Sequence, residues 1–190
     1  MKLYVKNMVC DRCISAVTAE INKMGIEPVS VQLGTIELPG NPGTEKLDSL
    51  SRSLDLLGFE LLYDAKTRTV EAIKQFIIQQ IHHMESIPRV NFSTLLSEHL
   101  HRDYSYLSKL FSGSEGITIE QYIILQKTER VKELLLYNEL SLSQIADDMG
   151  YSSVAHLSGQ FKKVTGETIS HYKNNIASNK RKPIDHVSPK

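Results

Sequence analysis

Cysteine is nearly absent from this chain of 190 residues: there are two, Cys10 and Cys13. A disulfide framework is therefore excluded, and in a reducing compartment a stabilising disulfide is not expected. Histidine is missing before His82, so the N-terminal part cannot build a four-ligand zinc site by itself. Hard-ion chemistry with Mg²⁺ or Ca²⁺ is not expected there either. No run of 18 apolar residues occurs, and the first 20 residues are mixed and charged. Neither a membrane span nor a secretory signal is expected, and the chain reads as cytoplasmic. Net charge is absent too, with 22 basic and 22 acidic residues. Residues 1–86 carry 9 basic against 11 acidic, and residues 87–190 carry 13 against 11. A nucleic-acid partner would have to be held by locally placed charge, because the bulk field is weak. No Ser/His/Asp arrangement, phosphate loop or carboxylate pair stands out. An enzyme is not expected, with a thiol oxidoreductase the one open exception.

What is present is concentrated in residues 141–163, which read as two helices joined by a tight turn at Gly150. Ile145, Ala146 and Met149 give the first helix one apolar face. Small Ala146 lets a second helix cross closely, and Gly150 supplies the turn. Leu157 and Phe161 anchor the second helix inward. Ser153, His156, Gln160, Lys162 and Lys163 are left to face outward. A helix polar and basic on its free side is suited to a DNA major groove.

The pattern occurs twice. In residues 92–111, Leu95, Leu96 and Leu100 form the first apolar face, His101-Arg102 make the turn, and Asp103 is the expected N-cap. Leu107 and Phe111 repeat the spacing of Leu157 and Phe161, and each Phe lies 50 residues from its counterpart. Glycine follows each Phe within five residues, at Gly113 and Gly116 and at Gly166. An internal repeat of this kind is stronger evidence than either copy alone. Between the copies, residues 119–136 read as one long helix with Tyr122, Leu125, Val131, Leu134 and Leu135, suited to holding them at a fixed separation.

Two such units joined by a long helix resemble the DNA-binding domain of AraC-type transcription regulators. The resemblance covers residues 88–175. It rests on Tyr106-Leu107-Ser108-Lys109-Leu110-Phe111, the stretch from Arg130 to Leu135, Ile145-Ala146-Asp147-Asp148-Met149-Gly150-Tyr151, and Phe161-Lys162-Lys163-Val164-Thr165-Gly166 with Tyr172-Lys173. It implies a partner, double-stranded DNA, and a first reading helix at residues 104–112 with Tyr104, Ser105, Tyr106, Ser108 and Lys109 toward it. The second reading helix is expected at residues 154–163, with Ala155, His156, Gly159 and Gln160 at reading positions. Here the chain departs from the family: Gly159 stands where Arg is common, and Val154 and Ala155 are apolar. A bidentate Arg–guanine contact, worth about 1–3 kcal/mol of discrimination, is missing. The first helix is expected to carry more of the readout and the second to act as a backbone clamp through Lys162, Lys163 and hydroxyls. Ile169, where the family usually has Pro, is a further departure.

The first 64 residues form a separate expected domain. Residues 2–6 alternate, with Leu3 and Val5 on one side. Ile14, Val17, Ile21 and Met24 make one helical stripe. Val29, Val31 and Leu33 alternate before Gly34, and Ile36 and Leu38 after it. Leu47, Leu50, Leu54 and Leu57 mark a second helix ended by Gly58, with a last strand at residues 59–63. The order is β-α-β-β-α-β, a ferredoxin-like arrangement. The expected fold class is thus α+β: this domain, a linker helix at residues 65–87, an all-α double helix–turn–helix domain at 88–175, and a flexible basic tail at 176–190.

Cys10-Asp11-Arg12-Cys13 falls at the junction of the first strand and first helix. In an opening turn, unpaired N–H groups and the helix dipole favour a thiolate, and Arg12 adds positive charge. Two close thiolates suit a soft ion such as Cu(I). Met8-Val9-Cys10-Asp11-Arg12-Cys13 resembles the loop of the heavy-metal-associated domain of copper chaperones and metal-pumping ATPases, over residues 1–64. Asn7 replaces that family's usual Gly, and Val9 stands where zinc-preferring members often carry Asp. Met8 is expected to pack under the loop, and Phe59 to be core or a shield. The same pair also reads as a redox dithiol, or as a relic in a domain kept for dimerisation.

Residues 67–85 read as a helix with an apolar stripe of Val70, Ile73, Phe76, Ile77, Ile81 and Met84. Such a stripe calls for a partner, either the DNA-binding domain or a second chain, which gives a homodimer through the linker helix as one expectation. His82-His83 are candidate ligands or, more commonly, exposed or capping residues. The whole reads as a one-component DNA-binding transcription regulator responding to a soft metal ion through Cys10 and Cys13. The alternatives are a thiol-redox-responsive regulator using the same cysteines, and a metal carrier or buffer.

Overall fold

The computed structural model describes residues 1–84, 87, 90–175 and 184, and the chain divides into two units, Met1–Gln75 and Phe76–Lys190. The basic tail expected at residues 176–190 lies outside the described residues except for Ile184, and so does Glu85.

In the first unit, strand β1 (Lys2–Lys6) alternates as its sequence dictates, with Leu3 and Val5 buried. Helix α1 (Asp11–Lys23) buries Val17 and Ile21. Strands β2 (Ser30–Gln32) and β3 (Thr35–Glu37) form a hairpin about Gly34, whose φ of 76° is the left-handed conformation such a turn requires. Helix α2 (Thr44–Leu56) buries Leu50 and Leu54, and β4 (Glu60–Leu61) is two residues long. All pairings are antiparallel, and the strand order is β2-β3-β1-β4. Leu3 pairs with Ile36 and Val5 with Leu61, so the alternating residues of three strands meet α1 and α2 in one core. Met8 and Phe59 both belong to that core.

Helix α3 (Ala65–Ile78) continues into a π-helical turn, Gln79–His83. The helix expected at residues 67–85 is thus a continuous helical run over residues 65–83, whose last five residues are wound as a π-helix. Of its apolar stripe, Val70, Ile73, Phe76, Ile77 and Ile81 are buried within the chain itself, whereas Met84 is exposed.

The second unit is helical. Helices α4 (Phe92–Leu100) and α5 (Tyr104–Glu115) form one pair, and α7 (Leu142–Asp148) and α8 (Val154–Thr165) a second. The long helix α6 (Ile119–Tyr137) lies between them in sequence, and α9 (Ile169–Asn174) follows. The fifty-residue offset of the sequence repeat is reproduced residue for residue in α5 and α8, while α4 and α7 share it only at their starts. Helix α5 ends at Gly116 and α8 at Gly166, both in the left-handed conformation of a C-cap. Thr118 and Thr168 then cap the following helices by accepting backbone N–H bonds. Leu107 and Phe111, and equally Leu157 and Phe161, are fully buried. Each Phe packs on a tyrosine of the next helix: Phe111 on Tyr122 and Phe161 on Tyr172, both at 5.5 Å between ring centroids.

The first apolar face is narrower than its sequence suggests, since only Leu96 of α4 is buried while Leu95 and Leu100 are half-buried. Helix α6 buries Tyr122, Ile123, Val131 and Leu135, but also Gln126, Thr128 and Glu129. Its three buried polar residues are invisible to a reading by apolar period alone.

Candidate nucleic-acid interface and cysteine site

Helix α5 begins at Asp103, whose side chain accepts from the N–H groups of Ser105 (2.8 Å) and Tyr106 (3.3 Å). The Ser105 hydroxyl and those N–H groups hold the Asp103 carboxyl below the usual carboxylate range. The turn ahead of it contains His101 at a φ of 51°, a strained conformation for a non-glycine residue. With Leu107 and Phe111 turned inward, Ser105, Tyr106 and Lys109 are exposed, and the Arg102 guanidinium lies 6.0 Å from the Tyr106 ring centre. Tyr104 and Ser108 are half-buried. The Tyr104 hydroxyl donates to Glu120 of α6, and burial together with that carboxylate raises its pKa. Tyr104 therefore anchors the helix start to α6 through its hydroxyl.

Helix α8 is capped by Ser153, whose Oγ accepts from the His156 N–H at 3.1 Å. Ser153, His156, Lys162 and Lys163 are exposed and Gln160 is half-buried. Gly159 is exposed, and a Cβ added there would meet nothing within 4 Å. By the fifty-residue offset Gly159 corresponds to Lys109 and His156 to Tyr106. The two free faces thus differ in chemistry: α5 presents a cation in its middle, while α8 presents bare backbone there and places its lysines at the C-terminal end. Those lysines also complement the helix dipole.

The turn between α7 and α8 is fixed from α6. Gly150 takes a φ of 68°, and the Tyr151 N–H bonds back to Ala146 O at 2.8 Å. Lys127 Nζ donates to Met149 O at 2.8 Å and lies 5.2 Å from the Tyr151 ring centre. Burial lowers the Lys127 pKa and pushes the Tyr151 phenol up to about 12. The other face of the Tyr151 environment is His156, edge-on at 5.3 Å, whose Nδ1 is 3.1 Å from Ser152 Oγ. The His156 ring is thereby oriented from two sides. Sequence reasoning did not single out Lys127, Arg102 or Ser152 as supports. Their roles arise from tertiary proximity, which periodicity does not encode.

Cys10 and Cys13 sit where the sequence suggests, at the N-cap and first turn of α1, both partly buried. Their sulfurs are 3.6 Å apart, and Cys13 N–H bonds to Cys10 O at 2.9 Å. Met8 is fully buried beneath the loop. The expected preference for a thiolate is not met at Cys13. Burial raises its pKa first of all, and this outweighs the lowering by backbone N–H groups; the neighbouring Cys10 raises it further. Among the described residues no group of three or more His, Cys, Asp or Glu side chains comes together. A pair of soft sulfur donors fits a soft monovalent ion and does not fit tetrahedral zinc. His82, a candidate ligand by sequence, is buried; its Nε2 is 2.9 Å from Gln126 Oε1.

Comparison with known proteins bears on the second unit. Residues 96–175 match the family model of the helix-turn-helix domain. The Msm operon regulatory protein of Streptococcus mutans is 30% identical over 84 residues, covering 44% of this chain and 30% of that protein. The regulatory protein PocR of Salmonella typhimurium is 26% identical over 88 residues, covering 46% and 29%. The chain spans about a third of the length of these curated relatives. Among solved structures, the C-terminal domain of AraT, a response regulator from Geobacillus stearothermophilus, superposes with a TM-score of 0.50 at 25% identity, over 59% of this chain and 88% of that one. Residues 96–175 are thus similar in sequence to a helix-turn-helix domain, and the C-terminal region is similar in fold to the C-terminal domain of that response regulator. No helix of the described residues is long and apolar enough to cross a membrane.

Proposed function

We propose that this protein is a transcription regulator that binds double-stranded DNA through two reading helices, α5 and α8, placed in successive major grooves on one face of the duplex. The observation that carries this reading is the duplicated frame. Two twelve-residue helices with the same offset, caps and aromatic anchors are each left with a free polar face. In α5, Ser105, Tyr106 and Lys109 serve as base and phosphate contacts. In α8, His156 reads a base edge while Ser153, Lys162 and Lys163 clamp phosphates.

In the same proposal the first unit, a ferredoxin-like and heavy-metal-associated-like domain, is the responsive part. Cys10 and Cys13 would hold a soft ion such as Cu(I), which would supply a positive charge to that loop. The 3.6 Å separation of those sulfurs supports this assignment. It equally supports the second reading, a thiol-redox response in which a peroxide or disulfide oxidant accepts two electrons and two protons as the Cys10–Cys13 disulfide forms. Binding can regulate only if the ion favours one arrangement of the chain over another.

The test is DNA binding by the full chain to duplex from its own upstream region, in reductant, with and without Cu(I). We expect salt-dependent binding that weakens in Lys109→Ala, and a change on adding Cu(I) that is lost in the Cys10→Ser/Cys13→Ser double variant. Tight Cu(I) uptake without any sequence-preferring DNA binding would show instead a metal carrier.

A further inference from the structure

The cysteine loop is tied to helix α3 by a buried carboxylate. Glu71, on the second turn of α3, is 7% exposed. Its Oε1 accepts the backbone N–H of Asn7 at 3.2 Å, and Gln75 Nε2 lies 3.5 Å from the same oxygen. Gln75 also donates to the carbonyl of Val5 at 3.3 Å. A Cβ on Gly34 would fall 2.0 Å from the Gln75 amide, so the amide rests against the bare Gly34 backbone and would have to move aside for any larger residue. Asn7 itself is held in the left-handed conformation at a φ of 70°, with its side chain donating to Gly58 O at 2.8 Å. Two residues separate Asn7 from Cys10, and one of them is the buried Met8.

A carboxylate is a costly group to bury, and an apolar side chain would fill the same volume at lower cost. Its burial is compensated by the Lys74 ammonium 3.9 Å from Oε2, by the Gln75 amide and by the N–H it receives from Asn7, and only the last of these reaches the loop. That N–H belongs to the residue whose unusual conformation launches the cysteine loop. Helix α3 then runs on to Ile78, past the end of the first unit.

We propose that Glu71 is a positioning residue that fastens the Cys10/Cys13 loop to α3, so that a change of state at the two sulfurs is transmitted as a displacement of the connector helix. This rests on the reading of Cys10 and Cys13 as the responsive site. The device has two parts: the tie to Asn7, which fixes the loop, and the continuity of α3, which carries the displacement onward. By reciprocity, whatever factor the ion applies to DNA affinity, DNA must apply to affinity for the ion.

The experiment uses the full chain as wild type, Glu71→Met and Glu71→Gln. Met fills the volume without an acceptor, and Gln keeps a carbonyl for the Asn7 N–H. Three quantities are measured in reductant: maleimide labelling rate of the cysteines, Cu(I) affinity against a chromophoric chelator, and DNA affinity with and without Cu(I). Labelling is expected to be several-fold faster in Glu71→Met and near wild type in Glu71→Gln. Wild-type DNA affinity should change by about five-fold or more with Cu(I). Glu71→Met should still take up Cu(I) while its DNA affinity no longer responds, and Glu71→Gln should restore the response. An unchanged labelling rate in Glu71→Met overturns the tie whatever the metal does. Full metal response in Glu71→Met, or Cu(I) uptake by wild type with no effect on DNA, overturns the transmission. Absence of Cu(I) uptake by wild type overturns the metal reading of the cysteine site and the transmission with it, and leaves the tie to be judged by labelling alone.

Discussion

Phe111 meets Tyr122 at 5.5 Å between ring centroids, and fifty residues later Phe161 meets Tyr172 at the same separation. The same joint is built twice, with each reading helix locked to the helix that follows it. Phe161→Ala and Phe111→Ala should each cost about 3–5 kcal/mol, the range for emptying a fully buried aromatic site. Guanidinium unfolding midpoints check this. A loss below about 1 kcal/mol at either position would mean that the joint is not a structural anchor.

The middle of each reading helix predicts a salt signature. Lys109→Ala should weaken DNA binding and make the slope of log affinity against log salt shallower by about 1. Gly159→Lys, at the matching position of α8 and with nothing within 4 Å, should steepen that slope by about 1. Gly159→Ala should raise stability by about 0.5–1 kcal/mol, since it removes only the backbone freedom of a helical glycine. Fluorescence anisotropy titrations at several salt concentrations give the slopes. Unchanged slopes in both charge variants would place these positions off the duplex.

Much of this arrangement is legible in the sequence, for identifiable reasons. Helix α5 is expected at 104–112 and runs to Glu115; α8 is expected at 154–163 and runs to Thr165. Both extend because their real stops are Gly116 and Gly166, whose left-handed conformations close the last turn. Strand β1 is legible because Leu3 and Val5 alternate, whereas β4 is shorter than expected, with only two residues paired to β1. The change from α-helical to π-helical winding at Gln79 is not legible. The apolar stripe of the connector runs on at helical spacing, and within the π-helical segment His82 makes a long-range bond to Gln126. The buried place of Glu71 is likewise not legible, because a glutamate on a helix normally faces water.

His82 predicts an acid limit. Burial pushes its pKa down from 6.5 to about 4, partly opposed by the bond to Gln126, and Nδ1 is buried without a partner among the described residues. The unfolded chain takes up a proton near pH 6.5, and the folded chain resists until about pH 4. Stability is therefore full above pH 6.5 and declines as pH falls from 6.5 toward 4, by about 3 kcal/mol in total. His82→Gln retains an N–H for Gln126 and cannot titrate, so its urea midpoints should fall less over that interval. Equal declines in wild type and variant would assign the acid sensitivity to other groups.

The central claim is that two helices read neighbouring turns of one duplex. Hydroxyl-radical footprinting of the full chain on a bound duplex tests it most directly. We predict two protected blocks on the same face, their centres separated by about one helical turn, 10–10.5 base pairs, with protection of the block under α5 lost in Lys109→Ala. A single block, or no protection at low ionic strength on any duplex, would contradict it.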